Sequence, residues 1–350
     1  MADSRAIADT FWVHNDRGDT ARFFAMGHAG NLLGTFPLAG VTAVDWEDIA
    51  INAKPGGGNY LYLGDIGDND SNRSQIVIYR TDEPTSTASA TIPVGGYTAA
   101  TLLYPNGARN AESLIIDPLT SDIFIVTKGA TAQIYSAPAS VFDSSTPITM
   151  TACGTLGTPL ATATAADISP DGLNILVRNR TAAYLYGRAV GQTVADALHG
   201  TGIPFALGAS PLEPQGEAIG WAAGGASFYT VSEEVGSPIY EFSFSTPPDI
   251  RLAGDYNGDD IVDAADYTVW RNALGTRDPL PNQVDTPDQV TMEDYFVWKD
   301  NYGNALGEGA GQPGLLTTGA LDAVPEPTAI VLLLMGSCIF MAVRRASINR

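Results

Sequence analysis

Residues 47–51 read EDIAI, and the same order of acid, small or apolar residue and strand returns three times, as AESLIID (111–117), AADIS (165–169) and GEAIGW (216–221). The acids of these segments, Asp48, Glu112, Asp167 and Glu217, are 64, 55 and 50 residues apart. A second β-rich run follows each segment (59–64, 122–127, 173–178, 226–231), and then a third (75–80, 132–137, 182–187, 237–244). With a weaker fourth run in most units, this spacing predicts β-propeller blades of four strands each.

The N-terminal residues fit a further, incomplete blade. TFWVHND (10–16), RFFAM (22–26) and NLLGTFPL (31–38) match a second, third and fourth strand, and no innermost strand precedes them. The first sixteen residues also lack the apolar region of a signal peptide. We therefore expect a mainly β protein with a propeller of about five blades over residues 1–248, whose missing strand and signal peptide lie upstream.

Several motifs of this region resemble a family of exported bacterial (planctomycete-like) propeller proteins. They are WVHND (12–16), DWEDIA (45–50), YLGDIGDN (62–69), IYRTDEP (78–84), NAESLIIDP (110–118) and AADISPDG (165–172). The resemblance runs from Phe11 to about Phe244. It implies the fold more than a particular chemistry.

Composition limits the classes of partner. The formal net charge is −21 over 350 residues, and so acidic a chain repels phosphate backbones, which argues against nucleic acid as a partner. Of the two cysteines, Cys338 lies in an apolar C-terminal segment, so pairing with Cys153 is not expected. The cysteines therefore do not indicate a redox compartment.

A twelve-residue window, DYNGDDIVDAAD (255–266), has the spacing of a calcium loop. Oxygen ligands are expected at positions 1, 3, 5, 7, 9 and 12, with position 7 contributing its backbone carbonyl. Those positions hold Asp255, Asn257, Asp259, Ile261, Asp263 and Asp266. The sequence predicts one Ca²⁺ site here, although Asp263 could instead simply cap a helix.

The last residue of the window begins a segment that occurs twice, as DYTVWRNALG (266–275) and DYFVWKDNYG (294–303). An Asp at position 12 and two loop–helix units resemble a type I dockerin, here spanning residues 249–304. The resemblance implies binding to a cohesin module of another protein, through Ala264, Ala265, Met292 and Glu293. The second loop (283–294) has Gln283, Asp285, Pro287, Thr291 and Asp294 at ligand positions, so we expect it to bind Ca²⁺ weakly or not at all.

Residues 305–323 are Gly-rich and read as a flexible linker, and residues 324–350 begin with VPEP and end in an apolar run followed by Arg344 and Arg345. The apolar run, 328–343, is somewhat shorter than the ~20 residues of a usual transmembrane helix, and the arginines favour a cytoplasmic C-terminus. The order of parts resembles a PEP-CTERM sorting signal. It implies export, a membrane-held C-terminal helix and an exosortase-type protease as partner, with a membrane-anchored or cell-surface location.

Residues at strand ends should converge on one face of the propeller, beside the central channel. They include Asn15, Asp16 and Asp68, and the candidate ring consists of Asp48, Asp65, Glu112, Lys128, Asp167, Arg178, Glu217 and Glu233. One interpretation is a calcium-assisted or carboxylate site for a small ligand. The other, favoured because acids recur in every blade, is a set of inter-blade contacts that fixes the geometry of closure.

Two functions follow from these patterns. The first is an exported, surface-associated propeller that binds Ca²⁺ and attaches to a cohesin-bearing partner. The alternative is a hydrolase, phytase-like or esterase-like by fold analogy only, on the carboxylate-rich face. No nucleophile elbow, phosphate loop or zinc pattern occurs, so enzyme activity is left open with the binding protein preferred.

Overall fold

The computed structural model describes residues 1–189, 191–207, 213, 215–233, 236–244, 254–258, 261–278, 280–283, 289–303 and, as a strand backbone, 341–345. These residues divide into two compact units. The first contains the β-strands, and the second contains residues 254–303.

The first unit consists of five sheets. Blade 1 contains β1 (Ala2–Asp3), β2 (Thr10–His14), β3 (Arg22–Gly27) and β4 (Leu32–Pro37). Blade 2 contains β5 (Trp46–Ala53), β6 (Asn59–Asp65), β7 (Ile76–Asp82) and β8 (Tyr97–Leu103). Blade 3 contains β9 (Ala111–Ile116), β10 (Ile123–Thr127), β11 (Gln133–Ala137) and β13 (Thr151–Thr155), while β12 (Ile148–Thr149) pairs with β8.

Blade 4 contains β14 (Ala165–Ile168), β15 (Asn174–Arg178), β16 (Ala182–Gly187) and β17 (Ile203–Ala206), with helix α1 (Val194–Leu198) before its last strand. Blade 5 contains β18 (Gly216–Trp221), β19 (Ser227–Ser232), β20 (Tyr240–Phe244) and β21 (Met341–Arg345). A short 3-10 helix spans Ala139–Asp143. The innermost strands β1, β5, β9, β14 and β18 contact one another in that order, and β18 contacts β1. The predicted five-bladed β-propeller is therefore confirmed.

The innermost strand of blade 1, predicted to be missing, is present as β1. Ala2 pairs with Trp12 and Asp3 with Phe11. The polar sequence around these residues has no run of strand-forming side chains, so its pattern did not indicate a strand. Ala2 is nonetheless buried beside Trp12. Pairing with β2 satisfies the backbone hydrogen bonds of β1, and packing of its side chains against neighbouring residues stabilises the strand.

Carboxylates bridge adjacent blades near the innermost strands. Asp48 Oδ2 accepts a hydrogen bond from the Leu114 backbone N–H at 2.8 Å, which joins blades 2 and 3. In the same way Asp167 Oδ2 accepts from the Trp221 N–H at 2.7 Å and joins blades 4 and 5.

The other boundaries have different carboxylates. Asp3 Oδ2 accepts from the Ala223 N–H at 2.8 Å, which joins blade 1 to blade 5. Asp117 forms a buried bidentate pair with Arg188, with distances of 2.7 and 2.9 Å, between blades 3 and 4. Such a two-pronged arginine–carboxylate contact is both strong and geometrically specific.

Glu83 joins blades 1 and 2. Its Oε1 atom accepts from the Ser4 hydroxyl at 2.7 Å and the Trp12 indole at 2.9 Å, as well as from two backbone N–H groups. Its Oε2 atom accepts from Asn59 at 2.7 Å. Asp3, Asp48, Glu83, Asp117 and Asp167 are called the closure carboxylates below. They support the interpretation of the acids as contacts that fix closure.

The second unit is built on helices α2 (Ala264–Ala273) and α3 (Met292–Asp300). Asp263 and Thr291 are the N-caps, and both form capping boxes, with Asp266 and Asp294 respectively. The unit has its own small core, made of Tyr256, Val262, Trp270, Leu280, Val290, Tyr295 and Trp298.

The two loop–helix halves of this unit exchange equivalent hydrogen bonds. Trp270 Nε1 donates to the carbonyl of Thr291 at 2.8 Å, and Trp298 Nε1 donates to the carbonyl of Asp263 at 2.8 Å. Each tryptophan thus bonds to the N-cap residue of the other helix.

The glycines after the two helices also form equivalent hydrogen bonds to the opposite half. Gly275 N–H donates to the Val290 carbonyl at 2.9 Å, and Gly303 N–H donates to the Val262 carbonyl at 2.8 Å. The duplicated sequence therefore forms a duplicated structure with approximate twofold equivalence.

Most of the predicted C-terminal segment, and the linker 305–323 before it, lie outside the described residues. Met341–Arg345 within that segment are extended and pair with β20, whose outer edge would otherwise lack a partner. Among the residues that the structure describes, no helix is both long and apolar enough to cross a bilayer.

Candidate functional site

A cavity of about 610 Å³ opens where blades 1, 2 and 5 meet. Acidic side chains contribute much of its wall, and apolar ones such as Val13 and Val231 complete it. The acidic residues that line it are Asp16, Glu47, Asp48, Glu217 and Glu233.

Three glutamates occupy equivalent β-bulges at the start of innermost strands. The register of the strand pair shifts at Glu47 in β5, at Glu112 in β9 and at Glu217 in β18. A bulge redirects its side chain, and bulges are frequent next to functional sites. The sequence comparison that matched Asp48 with Glu112 and Glu217 was therefore wrong by one residue, since Glu47 is their structural equivalent.

Asp48 and Asp167, both predicted site residues, serve mainly in closure. Besides its bond across the blade boundary, each accepts from the next residue of its own strand, Ile49 at 2.9 Å and Ile168 at 2.8 Å. Burial raises the pKa of Asp48 to about 7 and that of Asp167 to about 6, although these hydrogen bonds oppose the shift.

Asp65 and Arg178 are also structural. Asp65 is buried, accepts from the backbone N–H groups of Val44 and Asp45, each at 3.0 Å, and pairs with Arg73 at 2.9 Å. It holds the turn before β5 in place. Asp68 likewise accepts from backbone N–H groups within its own loop.

The guanidinium of Arg178 is fully buried between blades 4 and 5. It donates to the Ala218 carbonyl at 2.7 Å and pairs with Glu213 at 3.2 Å. A side-chain carbon on Gly216 would overlap this guanidinium, so glycine leaves the space that the arginine fills.

Two further ion pairs involve the bulged glutamates. Lys128 pairs with Glu112, whose second oxygen, Oε2, has no hydrogen-bond partner among the described residues. Burial raises the pKa of Glu112 to about 7, against the effect of Lys128. Arg180 pairs with Glu217 at 2.9 Å in a more exposed position.

Glu233 and Asp16 lie together at the rim of the cavity. Desolvation, followed by the charge of Glu217 and then of Asp16, raises the pKa of Glu233 to about 7, and a hydrogen bond joins Glu233 to Asp16. His14 also lines the cavity, and burial lowers its pKa to about 4. Its imidazole is therefore neutral at neutral pH.

Glu47 is the residue that sequence reasoning missed. Burial raises its pKa to about 10, and Glu112, Asp16 and Asp45 add to the shift. One carboxylate oxygen each of Asp16, Asp45 and Glu47 lies within 4.8 Å of the others. The recurring glutamate of WED, AES and GEA was the signal that could have revealed it.

In the predicted calcium loop, residues 255–266, Asp255 and Asp266 are fully buried. Asp266 accepts from the N–H groups of Asn257 at 3.0 Å and Asp263 at 2.8 Å, while Asp255 accepts from Gly258 at 2.8 Å. Val262, the apolar position 8, is buried, as the pairing of two such loops requires.

Asp263 has a second role, and Ile261 would offer only its backbone carbonyl as a ligand. Asp263 caps α2 by accepting from the Ala265 N–H at 2.7 Å, and the Ile261 side chain is exposed. Asp259 lies outside the described residues. Among the described residues, the carboxylate oxygens of Asp255, Asp263 and Asp266 do not approach one another as closely as those of Asp16, Asp45 and Glu47.

The second loop differs from the first at the residues that occupy positions 1 and 12. Gln283 Nε2 donates to Asp294 Oδ2 at 3.1 Å. The equivalent residues of the first loop, Asp255 and Asp266, are both carboxylates, and the charge of Asp255 contributes to a raised Asp266 pKa, after burial. Two like charges at this spacing favour a cation, whereas an amide and a carboxylate satisfy each other.

Comparison with known proteins found no family model that matches this chain and no curated protein of significantly similar sequence.

Proposed function

We propose that this protein is an exported, cell-surface β-propeller that binds Ca²⁺ through residues 255–266 and attaches, through its helical unit, to a cohesin-type module. The observation that carries the proposal is the twofold equivalence of the loop–helix halves. Trp270 and Trp298 exchange bonds with opposite N-caps, as expected if two metal-loop units pack as one module.

The chemistry of the first loop supports calcium. Asp255 and Asp266 are carboxylates buried in a small loop, and ionised carboxylates are costly to bury unless a cation or hydrogen-bond donors compensate them. Oxygen-only ligands of this kind suit Ca²⁺. Residues Asp255, Asn257, Asp259, Asp263 and Asp266, with the Ile261 carbonyl, would hold the ion, which would neutralise the loop and stabilise the start of α2.

Calorimetry on the full chain tests this proposal. We expect one dominant Ca²⁺ site, which is eliminated by combining Asp255→Ala with Asp266→Ala. The matched control is Asp278→Ala, because Asp278 is an exposed acid of the same unit. Retention of that site in the double variant would refute the assignment to this loop. Loss of two Ca²⁺ ions of equal affinity in the double variant would contradict the prediction that the second loop binds weakly or not at all.

The attachment surface is proposed from the first turns of the helices. Ala264 and Ala265 are exposed at the start of α2, and Met292 and Glu293 are half-exposed at the start of α3. The two turns differ in chemistry, so we propose that the partner binds in one orientation. Pull-down with a panel of purified cohesin modules tests this surface. We expect Ala265→Arg to reduce capture and the control Asp278→Ala to leave it unchanged. If Ala265→Arg leaves capture unchanged, this surface is excluded.

Export and sorting rest on the sequence of residues 324–345. We propose that this segment holds the protein at the membrane through a helix, in a state in which Met341–Arg345 are not paired with β20, until an exosortase-type protease removes it. A tagged full-length protein should fractionate with membranes in an exporting bacterium, and with the cell surface after processing. Recovery of the full-length protein in the cytoplasm would refute this.

The hydrolase alternative is supported by the cavity. Its wall combines a neutral His14 with carboxyl groups whose pKa is raised to about 7, such as Glu233, and such groups can exchange protons at neutral pH. A broad hydrolase screen, followed by Glu112→Gln and Glu233→Gln on any activity found, tests it. Absence of turnover leaves the binding protein as the better proposal.

A further inference from the structure

Three acidic side chains from two neighbouring blades meet at the mouth of the cavity. Asp16 is in the loop after β2 of blade 1, while Asp45 and Glu47 flank Trp46 at the start of β5 in blade 2. One oxygen of each carboxylate lies within 4.8 Å of the other two. None of these residues is a closure carboxylate.

A second observation indicates a missing ligand. Only 3% of Asp45 is exposed, and its Oδ1 atom has no hydrogen-bond partner among the described residues. Buried carboxylate oxygens are almost always satisfied by a donor or a cation, so one that is not requires an explanation. The adjacent Glu112 is also 3% exposed, and its Oε2 atom likewise lacks a partner there.

The backbone around these carboxylates makes room for their approach. A side-chain carbon on Gly67 would overlap Glu47 Oε1 and would lie only 2.6 Å from Asp45 Oδ2. The Gly67 N–H also donates to the Asp45 carbonyl at 3.1 Å, which fixes the two segments against each other. The close approach of Asp45 and Glu47 therefore depends on glycine at this position.

We propose that Asp16, Asp45 and Glu47 bind one divalent cation, with Ca²⁺ preferred, at the mouth of the propeller cavity. Carboxylate oxygens are hard ligands, and at Ca–O distances of about 2.3–2.6 Å two opposite ligands lie roughly 4.6–5.2 Å apart. No two of the three carboxylate oxygens lie more than 4.8 Å apart, so one ion can reach all of them. Mg²⁺ demands near-ideal octahedral geometry and is usually held by only one or two carboxylates, so three carboxylates from two blades suit the more flexible coordination of Ca²⁺ better.

The site is open toward the cavity. Asp16 and Glu47 line the cavity wall, and three residues do not fill the 6–8 positions of a Ca²⁺ ion, so several face the cavity. Water or an oxygen-bearing small molecule, such as a polyol or a carboxylate, would complete the coordination there. By neutralising the acidic side chains at the mouth of the cavity, the cation would allow such ligands to bind there.

The experiment separates this site from the loop 255–266. Equilibrium dialysis with ⁴⁵Ca²⁺ is carried out on the full chain carrying Asp255→Ala and Asp266→Ala, which serves as the parent. We expect this parent to retain one Ca²⁺ ion per chain. Glu47→Gln and, separately, Asp16→Asn should each weaken that binding by about tenfold or more, since each removes a charged ligand.

The variants carry their own controls. Asp16 is exposed, so Asp16→Asn tests the site even if a change at Glu47 disturbs folding. Asp82→Asn removes an exposed charge at the opposite end of blade 2, where Asp82 pairs with Lys54, and should leave binding unchanged. Calcium should raise the melting temperature of the parent and of Asp82→Asn, but barely that of Asp16→Asn.

Two results would overturn the proposal. One is a parent that binds no Ca²⁺ at millimolar concentration, and the other is undiminished binding by Asp16→Asn and Glu47→Gln. Neither result bears on the loop 255–266, because that loop is already disabled in the parent.

Discussion

Replacing Arg178 by alanine should destabilise the propeller by about 3–5 kcal/mol, because it leaves the buried carboxylate of Glu213 without its partner. The side chains of Arg178 and Glu213 are 0% and 2% exposed. Glu213 Oε1 has no hydrogen-bond partner among the described residues, so removal of the guanidinium leaves the charge almost uncompensated. The Ala218 carbonyl would lose its donor as well.

Arg180 provides a matched control only two residues away. It pairs with Glu217 at 2.9 Å, but its side chain is 50% exposed. Exposed ion pairs contribute about 0–1 kcal/mol, because water screens the charges and the side chains lose entropy. For a unit of this size 1 kcal/mol corresponds to roughly 2–4 °C. Arg178→Ala should therefore lower the Tm of the propeller by about 6–20 °C, and Arg180→Ala by at most about 4 °C.

Far-UV circular dichroism, recorded on heating the full chain, measures both changes. A third protein, with Arg178→Ala and Glu213→Ala together, should regain part of the loss, because the stranded charge is removed with its partner. Equal losses for Arg178→Ala and Arg180→Ala would refute the argument from burial. A double variant no more stable than Arg178→Ala alone would show that lost packing, and not the unpaired charge, accounts for the cost.

Three further predictions concern pH and packing. Burial raises the pKa of Asp48 to about 7 and of Asp167 to about 6, above the unfolded values near 4. The stability that these two groups contribute is therefore fully present below about pH 4 and is lost as the pH rises toward 7, and thermal melts at stepped pH should show a smaller loss for Asp48→Asn. Trp298→Phe removes the indole bond to the Asp263 carbonyl and should destabilise the helical unit by ~1–3 kcal/mol, measured in urea, while sparing the propeller transition. Gly34→Ala would push a methyl group into a backbone carbonyl of a neighbouring loop, so we expect the free energy of unfolding of the propeller to fall by ~1–3 kcal/mol in urea. An unchanged urea midpoint would show that the loop moves aside without cost.

Most strands of the propeller could be predicted closely because they pair with the strand before or after them in the sequence. The predicted second strands 59–64 and 173–178 agree within one residue with Asn59–Asp65 and Asn174–Arg178. Alternating apolar residues and turn signals are local properties, so a single sequence contains them. β1 was missed because its two residues lack such a local pattern and form a strand only where β2 offers an edge.

The candidate site was harder to predict because its residues depend on register. Predicted acids such as Asp48 and Asp65 are present at the expected strand ends, but their oxygens are occupied by backbone N–H groups. A bulge of one residue places Glu47, rather than Asp48, in line with Glu112. A spacing count cannot distinguish two adjacent acids, and the approach of Asp45 to Glu47 arises only after folding.

The closure carboxylates have a consequence for how the blades find their order. Blades of similar length and pattern can in principle dock on the wrong neighbour, a common misfolding route of repeat proteins. Three of the five boundaries share one type of contact, an aspartate that accepts from a backbone N–H. The other two differ from these and from each other, since one has the Asp117–Arg188 fork and the other has the several donors around Glu83. A wrong neighbour at either of the last two boundaries would bury Asp117 or Glu83 opposite a surface that lacks its side-chain donors. These two contacts thus identify blades 1 and 2, and blades 3 and 4, as neighbours, and they favour the correct order because other pairings at these boundaries leave a buried carboxylate unsatisfied.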